Sequence, residues 1–311
     1  MIETWQQALP HGITLSCRAS GQRGRPVLLF LHGFPEAAFV WDPLLNHFSQ
    51  PEHGGYRCIA PNLRGYEHSS APQGLEHYRA RALLQDLQAL IDVECGPTQA
   101  LAALVAHDWG GALAWALANH APERMRRLVI LNAPHPGTFV RELRDSPAQR
   151  QASDYMNFLI RPDAAALLSA NGYRRLFGFF EAMGASARPG SAQAPDGAGW
   201  LDEAMRAKYR AVWDLGLEGG LNYYRASPLR ASPDGASNLP ELPAALLHIA
   251  VPTLVLWAQN DTALLPGLTQ GLEAFVPELK LVPIARATHW LVHEQPARVI
   301  AEISGFLPPA Q

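Results

Sequence analysis

Short apolar runs recur along the chain, and segments with a helical pattern separate them. Helical patterns such as Tyr78–Val93 and Gly111–Asn119 lie between the runs. Buried strands that alternate with helices are typical of a mainly parallel sheet with helices on both faces. The runs that predict strands are Ile13–Cys17, Val27–Leu31, Cys58–Ala60, Leu101–Val105, Leu128–Leu131, Thr253–Trp257 and Leu279–Ile284.

The alternation stops between Pro136 and Leu247. A Gly/Ala/Pro/Ser-rich segment, Gly184–Gly199, interrupts this stretch and is predicted to be a mobile loop. Such an insertion predicts a helical lid over the carboxyl ends of the strands, where open α/β sheets bind their ligands. We therefore predict a core domain of residues 1–135 and 248–311 and a helical cap of residues 136–247. The helical runs of the predicted cap are Ser153–Leu159, Ala164–Met183, Leu201–Leu215 and Gly220–Arg225.

Composition excludes several classes of protein. The 311 residues are 48% hydrophobic and 17% charged with a net charge of -3, which predicts an ordered core and no nucleic-acid partner. The three cysteines are widely spaced, which predicts neither a disulfide framework nor a metal motif and fits a reducing cytoplasm. No apolar run approaches the ~20 residues of a membrane span, and Met1–Pro10 lacks a signal-peptide pattern. We expect a cytoplasmic protein without a membrane partner.

The stretch Ala106–Gly111 reads Ala-His-Asp-Trp-Gly-Gly and joins a predicted strand to a predicted helix. Small residues around one exposed side chain in that context predict a nucleophile elbow, which usually reads Gly-x-Ser-x-Gly. Here Asp108 stands at the serine position. A carboxylate that attacks an sp³ carbon forms an ester that water can cleave, whereas serine would form an ether. Asp108 therefore indicates an alkylating substrate, either an epoxide or an alkyl halide.

Two further residues follow predicted strands in the order that such a site requires. Asp261 follows the strand Thr253–Trp257, and His289 follows the last strand, Leu279–Ile284. The chain order nucleophile, acid, histidine matches the order known for this elbow. A histidine held by a carboxylate can deprotonate water for attack on the ester. We predict that His289 is the base and Asp261 the residue that orients it.

Backbone and hydroxyl donors complete the predicted site. The loop His32-Gly33-Phe34-Pro35-Glu36 follows a predicted strand, so the N–H groups of Phe34 and Trp109 are expected to form an oxyanion hole. The cap contains the segments Asp154-Tyr155-Met156 and Leu221-Asn222-Tyr223-Tyr224. A pair of tyrosine hydroxyls can donate a proton to an epoxide oxygen. The remaining histidines near these motifs are expected to be structural: His32, His107 and His135.

These motifs together resemble those of the soluble α/β-hydrolase epoxide hydrolases that use an aspartate nucleophile. The resemblance covers nearly the whole chain and implies an α/β-hydrolase fold, with Tyr155 and Tyr224 as the two tyrosines that activate the epoxide. Three positions depart from the usual pattern: Ala106 replaces a glycine of the elbow, Glu67-His68-Ser69 replaces Gly-x-Ser, and Thr288 replaces the glycine before His289. The motifs are His-Gly-Phe-Pro at 32–35, Leu-Arg-Gly-Tyr at 63–66, His-Asp-Trp-Gly-Gly at 107–111, Gln-Asn-Asp at 259–261 and Thr-His-Trp at 288–290.

Three other functions compete with this interpretation. A haloalkane dehalogenase shares the aspartate nucleophile, but it usually carries an asparagine where this chain has Phe34-Pro35. A haloacid-type dehalogenase places an arginine just after the nucleophile, where this chain has Trp109. A non-catalytic ligand receptor of the same fold would usually have lost part of the triad.

The sequence thus predicts an enzyme that converts an epoxide to a vicinal diol. Asp108 attacks a ring carbon, Tyr155 and Tyr224 activate the oxygen, and water activated by His289 cleaves the ester. No metal or organic cofactor is needed for these steps, and the expected partners are a small-molecule epoxide and water. The oligomeric state, a homodimer included, stays open at this stage.

Overall fold

A mixed β-sheet lies at the centre of the molecule. A computed structural model describes residues 1–185, 196–231 and 239–307 of the chain. The strands in that part are β1 (Glu3–Ala8), β2 (Thr14–Ser20), β3 (Val27–Leu31), β4 (Arg57–Pro61), β5 (Ala103–His107), β6 (Leu128–Leu131), β7 (Thr253–Ala258) and β8 (Leu279–Ile284). They form one eight-stranded sheet in the order β1-β2-β4-β3-β5-β6-β7-β8. β2 pairs antiparallel with β1 and β4, and the other neighbours are parallel, so the mainly parallel sheet is confirmed.

Helices cover both faces of the sheet. The α-helices of the described residues are α1 (Asp42–Phe48), α2 (Ala80–Cys95), α3 (Asp108–His120), α4 (Pro136–Asp145), α5 (Pro147–Ala152), α6 (Tyr155–Leu159), α7 (Ala164–Phe180), α8 (Glu203–Trp213), α9 (Glu218–Ala226), α10 (Leu291–Glu294) and α11 (Pro296–Phe306). Alternate residues of the central strands pack in two separate cores, because successive side chains of a strand point to opposite faces. One core includes α2 and α3, and the other includes α1 and α11. No helix in the described ranges is long and apolar enough to cross a membrane.

The helices α4 to α9 lie between β6 and β7 and form the inserted segment that the sequence predicts. Several of their aromatic side chains contact loops of the sheet directly. The Phe180 ring stacks on Trp290 at a centroid distance of 4.2 Å, and the Trp213 indole donates a hydrogen bond to the Pro35 carbonyl (2.7 Å). The Tyr223 hydroxyl donates to the Arg64 carbonyl (3.0 Å). The division into a core of residues 1–135 and 248–311 and a cap of residues 136–247 stays a prediction.

The structure corrects several details of the strands. β1 was not predicted, because its sequence ETWQQA has no apolar run and none of its residues is buried. The predicted strand Leu101–Val105 begins two residues later, at Ala103, and Leu101 forms only an isolated bridge with Met125. Leu279–Ile284 is a strand, but the prediction that it is buried is wrong. It lies at the edge of the sheet with most of its residues partly or fully exposed.

The cap helices also differ from the predicted ones. α4 and α5 were missed, and the helix predicted for Ala164–Met183 changes its geometry twice. Residues Ala170–Tyr173 have non-helical φ and ψ angles, and Glu181–Ala185 form a π-helical turn. A helix that is interrupted in this way keeps its apolar spacing, so periodicity alone does not reveal the interruption. Most of the predicted loop Gly184–Gly199, residues 186–195, lies outside the described residues.

Candidate active site

Asp108 lies at a sharp turn between β5 and α3. Its φ of +50° is in the left-handed region, which non-glycine residues seldom adopt unless the surrounding structure holds them there. The neighbouring Gly110 allows this turn, because a Cβ atom at that position would lie 2.5 Å from the Leu31 carbonyl oxygen of β3. α3 therefore packs close to β3, and the predicted elbow presents Asp108 at the carboxyl end of the sheet.

The loop after β3 contacts the Asp108 carboxylate through its backbone. The Phe34 N–H donates a hydrogen bond to Asp108 Oδ1 at 2.7 Å. Gly33 permits this contact, since a Cβ atom there would lie only 2.2 Å from the same oxygen. Trp109 follows in the first turn of α3, where N–H groups have no partner within the helix. The two predicted oxyanion-hole residues thus flank the candidate nucleophile.

His289 lies between the carboxylates of Asp261 and Asp108, the predicted orienting residue and the predicted nucleophile. Its Nδ1 is 2.8 Å from Asp261 Oδ2, and its Nε2 is 3.7 Å from Asp108 Oδ2. The three side chains follow β5, β7 and β8, whose carboxyl ends lie on the same side of the sheet. Burial disfavours the charged imidazole, but the charge and hydrogen bond of Asp261, followed by the charge of Asp108, raise the pKa of His289 to about 9.

Asp261 is fully buried and its carboxylate oxygens have several donors. Oδ1 accepts from the N–H groups of Ala263 (2.8 Å) and Leu264 (2.9 Å), and Oδ2 accepts from the Asn132 amide (2.6 Å). Burial opposes ionisation, but the charge and hydrogen bond of His289, with the Asn132 and Leu264 hydrogen bonds, keep the pKa of Asp261 below its usual range. Asp261 is therefore a charged, fixed acceptor for His289 Nδ1–H.

Asn132 was not singled out from the sequence. It directly follows β6 and has a φ of +40°, and its Oδ1 accepts the Ala258 N–H (3.0 Å) while its amide holds Asp261. A polar residue at the end of a buried strand, next to strands that carry the site, is the pattern that could have indicated it.

The two predicted cap tyrosines face Asp108 across a cavity. Asp108, Trp109, Tyr155 and Tyr224 all line this cavity, whose volume is about 450 Å³. The Trp109 and Tyr224 rings are perpendicular at a centroid distance of 5.0 Å, and the Tyr155 and Tyr224 rings lie 6.3 Å apart. Burial, reinforced by the negative charge of Asp108, raises the pKa of both tyrosines well above the ordinary value. Both hydroxyls therefore keep their protons at neutral pH and are available as donors.

A cluster of buried polar side chains contacts the loop that carries His289. His107 Nε2 donates to the main-chain carbonyl of His289 (2.9 Å), and its Nδ1 lies 3.3 Å from Glu36 Oε2. Glu36 Oε1 also accepts from the Tyr209 hydroxyl (2.7 Å) and lies 2.7 Å from His293 Nε2. Burial opposes ionisation, yet the hydrogen bonds and charges of His107 and His293 hold the pKa of Glu36 well below its usual range. The structural role predicted for His107 fits these contacts, whereas the role of Glu36 was missed.

Glu294 holds the residue next to His289. Its two carboxylate oxygens accept from the Thr288 N–H and the Thr288 hydroxyl, both at 2.7 Å. Burial raises the pKa of Glu294 to about 7. Thr288, which departs from the usual glycine at this position, thus adds a side-chain hydrogen bond to the loop that carries His289.

The two other histidines near the motifs also make structural contacts. His32 is buried, and its Nε2 accepts the Leu63 N–H (3.1 Å). Burial lowers the pKa of His32 to about 4, so the ring is neutral. His135 Nδ1 accepts the Gly137 N–H (3.2 Å) at the start of α4, and its ring stacks on Phe275.

Comparisons with known proteins agree with this arrangement. Residues 26–296 match the model of the alpha/beta hydrolase fold family. The AB hydrolase superfamily protein YfhM of Bacillus subtilis (strain 168) is 34% identical over 96% of this chain and 95% of its own. Epoxide hydrolase 3 of Xenopus tropicalis is 32% identical, over 95% of this chain and 75% of its own length.

Two solved structures are similar over almost the full length. The crystal structure of Bacillus megaterium epoxide hydrolase with an inhibitor has a TM-score of 0.84 at 28% identity, covering 97% of this chain and 99% of that one. A structure reported among novel epoxide hydrolases in metagenomes from hot environments has a TM-score of 0.84 at 35% identity, covering 99% of both chains. The chain therefore belongs to the alpha/beta hydrolase fold family and, within it, to the epoxide hydrolases.

Proposed function

We propose that this protein hydrolyses an epoxide to a vicinal diol through a covalent ester of Asp108. One observation carries the proposal. The Asp108 carboxylate and the hydroxyl-bearing rings of Tyr155 and Tyr224 line the same cavity, with the His289–Asp261 pair next to the carboxylate. A nucleophile, an acid for the leaving oxygen and a base for water thus lie within one site.

In the first step, an Asp108 oxygen attacks one ring carbon of the epoxide. The bond between that carbon and the ring oxygen breaks, and its electron pair goes to the oxygen. An alkoxide is a stronger base than a phenolate, so the oxygen takes a proton from Tyr155 or Tyr224, whose raised pKa keeps the hydroxyl protonated until then. The product of this step is an Asp108 ester of the diol.

In the second step, His289 removes a proton from water, and the hydroxide attacks the ester carbonyl carbon of Asp108. The Phe34 and Trp109 N–H groups stabilise the oxyanion, a contribution typically worth about 2.7–4 kcal/mol per donor. Collapse of the tetrahedral intermediate breaks the bond to the alkyl oxygen, and the departing alkoxide takes the proton from the His289 imidazolium, which releases the diol. The proton that the new Asp108 carboxyl group carries from water returns through solvent to the tyrosine phenolate, so the carboxylate, the imidazole and the tyrosine are all restored. Ester formation also removes the Asp108 charge that helps to raise the pKa of His289, which favours the neutral imidazole when the base is required.

The experiment that tests the covalent step is a single turnover in ¹⁸O-labelled water. Water attacks the enzyme ester and not the substrate, so one label enters the Asp108 carboxylate, and mass spectrometry of the peptide that contains Asp108 detects it. Label in the diol with none in Asp108 would show that water attacks the epoxide directly. Asp145→Asn, an exposed change away from the site, serves as the control variant.

A haloalkane dehalogenase is the alternative outcome. It must solvate a departing halide with N–H donors, whereas this site offers two tyrosine hydroxyls beside the Trp109 ring. A panel of epoxides and haloalkanes, assayed in parallel for diol and for halide release, separates the two activities. Halide release without diol from any epoxide would assign the protein to the dehalogenases. The cytoplasmic location, the small-molecule partners and the independence from cofactors stay predictions from the sequence.

A further inference from the structure

Part of the cavity at Asp108 lies along helix α3. Ala112, Ala116 and Asn119 line it together with Asp108, at spacings of four, eight and eleven residues that place them on one helix face. All three are partly exposed, whereas their neighbours Leu113, Ala114 and Leu117 are buried in the core. The small side chains of Ala112 and Ala116 therefore leave a groove over the helix.

The length of this groove follows from the helix. A rise of ~1.5 Å per residue places Ala116 about 12 Å from Asp108 along the axis. An extended alkyl chain advances about 1.25 Å per bond, given a carbon–carbon bond of about 1.52 Å. The groove from Asp108 to Ala116 thus has the length of a chain of about ten carbon atoms. The cavity volume of about 450 Å³ lies within the range of small-molecule sites.

The walls of the groove are mostly apolar, with Asn119, His120 and Ser227 among the polar lining residues. Among the described residues that line it there is no lysine or arginine. Burial lowers the pKa of His135 to about 4, so this lining residue is neutral as well. An anionic tail would lose its hydration without gaining an opposite charge, whereas an alkyl chain gains about 0.8 kcal/mol for each buried methylene. The apolar walls opposite α3 are Pro228, Leu229, Leu242, Leu246 and Ile249.

On the side away from the groove, aromatic side chains pack against Tyr155 and Tyr224. Phe34 packs against Tyr224 at a centroid distance of 5.3 Å, and Phe179 packs against Tyr155 at 5.3 Å. Phe34 and Phe179 also contact each other at 6.3 Å. The space beyond them, lined by Phe34, Tyr66 and Trp213 among others, measures about 10 Å³, which is no larger than one water molecule. A substituent on this side of the epoxide therefore meets packed rings.

We infer that the preferred substrate is a neutral terminal epoxide with one long aliphatic chain, which lies along α3 over Ala112 and Ala116. Internal epoxides with a long chain on each ring carbon are expected to fit poorly, because among the described residues the packed rings of Phe34 and Phe179 occupy the other side of the cap tyrosines. This inference rests on the proposed epoxide hydrolysis and adds the substrate class to it.

The test compares two isomers of equal size, 1-decene oxide and trans-5-decene oxide, with 1-butene oxide as a short reference. The wild-type protein is expected to hydrolyse 1-decene oxide with a kcat/KM at least about tenfold higher than that of the internal isomer, since misfitting groups in apolar pockets change rates by about 10–200-fold. Phe179→Ala removes one of the packed rings and should raise kcat/KM for the internal isomer.

A second variant tests the groove itself. Ala116→Phe fills the groove over α3. The ratio of kcat/KM for 1-decene oxide to that for 1-butene oxide should therefore fall about tenfold or more. The matched control is Ala166→Phe on the exposed face of α7, which should leave the ratio unchanged. Circular dichroism and turnover of 1-butene oxide verify that each variant is folded.

The outcomes distinguish an error in the substrate class from an error in the proposed hydrolysis. Equal hydrolysis of the two decene oxides, or an unchanged ratio in Ala116→Phe, would overturn the inference about the substrate while the proposed hydrolysis stands. If the wild-type protein forms no diol from any of the three epoxides, the proposed function itself is wrong.

Discussion

The charge of Asp108 should contribute, after Asp261, to the raised pKa of His289. Asp108 Oδ2 lies 3.7 Å from His289 Nε2, and both side chains are largely shielded from water. Coulomb's law gives about 4.5 kcal/mol for this pair at an effective dielectric of 20 and about 1 kcal/mol in bulk water. A shift of one pKa unit corresponds to about 1.36 kcal/mol. Asp108→Asn should therefore lower the pKa of His289 from about 9 by about 1 to 3 pKa units.

The sign follows from the form that the carboxylate stabilises. A negative charge favours the imidazolium, so its removal favours the neutral ring and lowers the pKa. NMR titration of protein labelled at histidine can follow His289, whose resonance is identified by its loss in His289→Gln. Asparagine keeps the size of the side chain and an oxygen that can accept the Phe34 N–H, so the fold should be retained.

The control is Asp145→Asn, which removes an equal charge from an exposed carboxylate paired with Arg144. It should leave the His289 titration in place, because solvent screens distant exposed charges. An unchanged His289 pKa in Asp108→Asn would refute the idea that ester formation prepares the base. It would leave Asp261 as the source of the raised value.

Three further changes test the other parts of the site. His289→Gln should allow the ester to form but not to be cleaved, so intact-mass analysis with excess epoxide should show one added substrate mass, and normal turnover would exclude His289 as the base. Changing Tyr155 and Tyr224 together to phenylalanine should reduce diol formation by about 10²–10⁴-fold or more, because the ring packing stays while the proton donors are lost; unchanged kcat would exclude them. Gly33→Ala should lower kcat/KM strongly, because its Cβ would overlap Asp108 Oδ1. For Gly33→Ala, the helical Gly178→Ala with no atom nearby is the control, and equal kinetics of the two variants would contradict this reasoning.

Residues that follow strands of the parallel part of the sheet were the most predictable part of the site. Asp108, Asp261 and His289 each come after an apolar run, and parallel strands bring their carboxyl ends to one edge of the sheet. Their order along the chain was therefore enough to predict that they meet. Tyr155 and Tyr224 lie on cap helices without such an edge, so their placement depended on resemblance to a known family.

Other features could not be predicted because they depend on contacts between distant segments. Glu36 is a buried carboxylate whose partners Tyr209 and His293 lie more than 170 residues away in the chain, and nothing in its local sequence indicates burial. β1 has no apolar run, and it is held by pairing with β2 and by the packing of Trp5 against the core. The interruption of α7 at residues 170–173 likewise is not visible in its apolar spacing.

The buried contact of Tyr209 with Glu36 and His293 has a consequence for how the molecule unfolds. Tyr209 belongs to the inserted helix α8, whereas Glu36 follows β3 and His293 lies on α10, 173 and 84 residues away in the chain. Separating α8 from the sheet would leave the charged, buried Glu36 carboxylate without one of its hydrogen-bond partners, which is costly. Amide hydrogens of α8 should therefore exchange with solvent at the rate set by global unfolding, together with those of β3 and β5. In heat denaturation, the inserted helix α8 and the sheet should unfold in one cooperative transition.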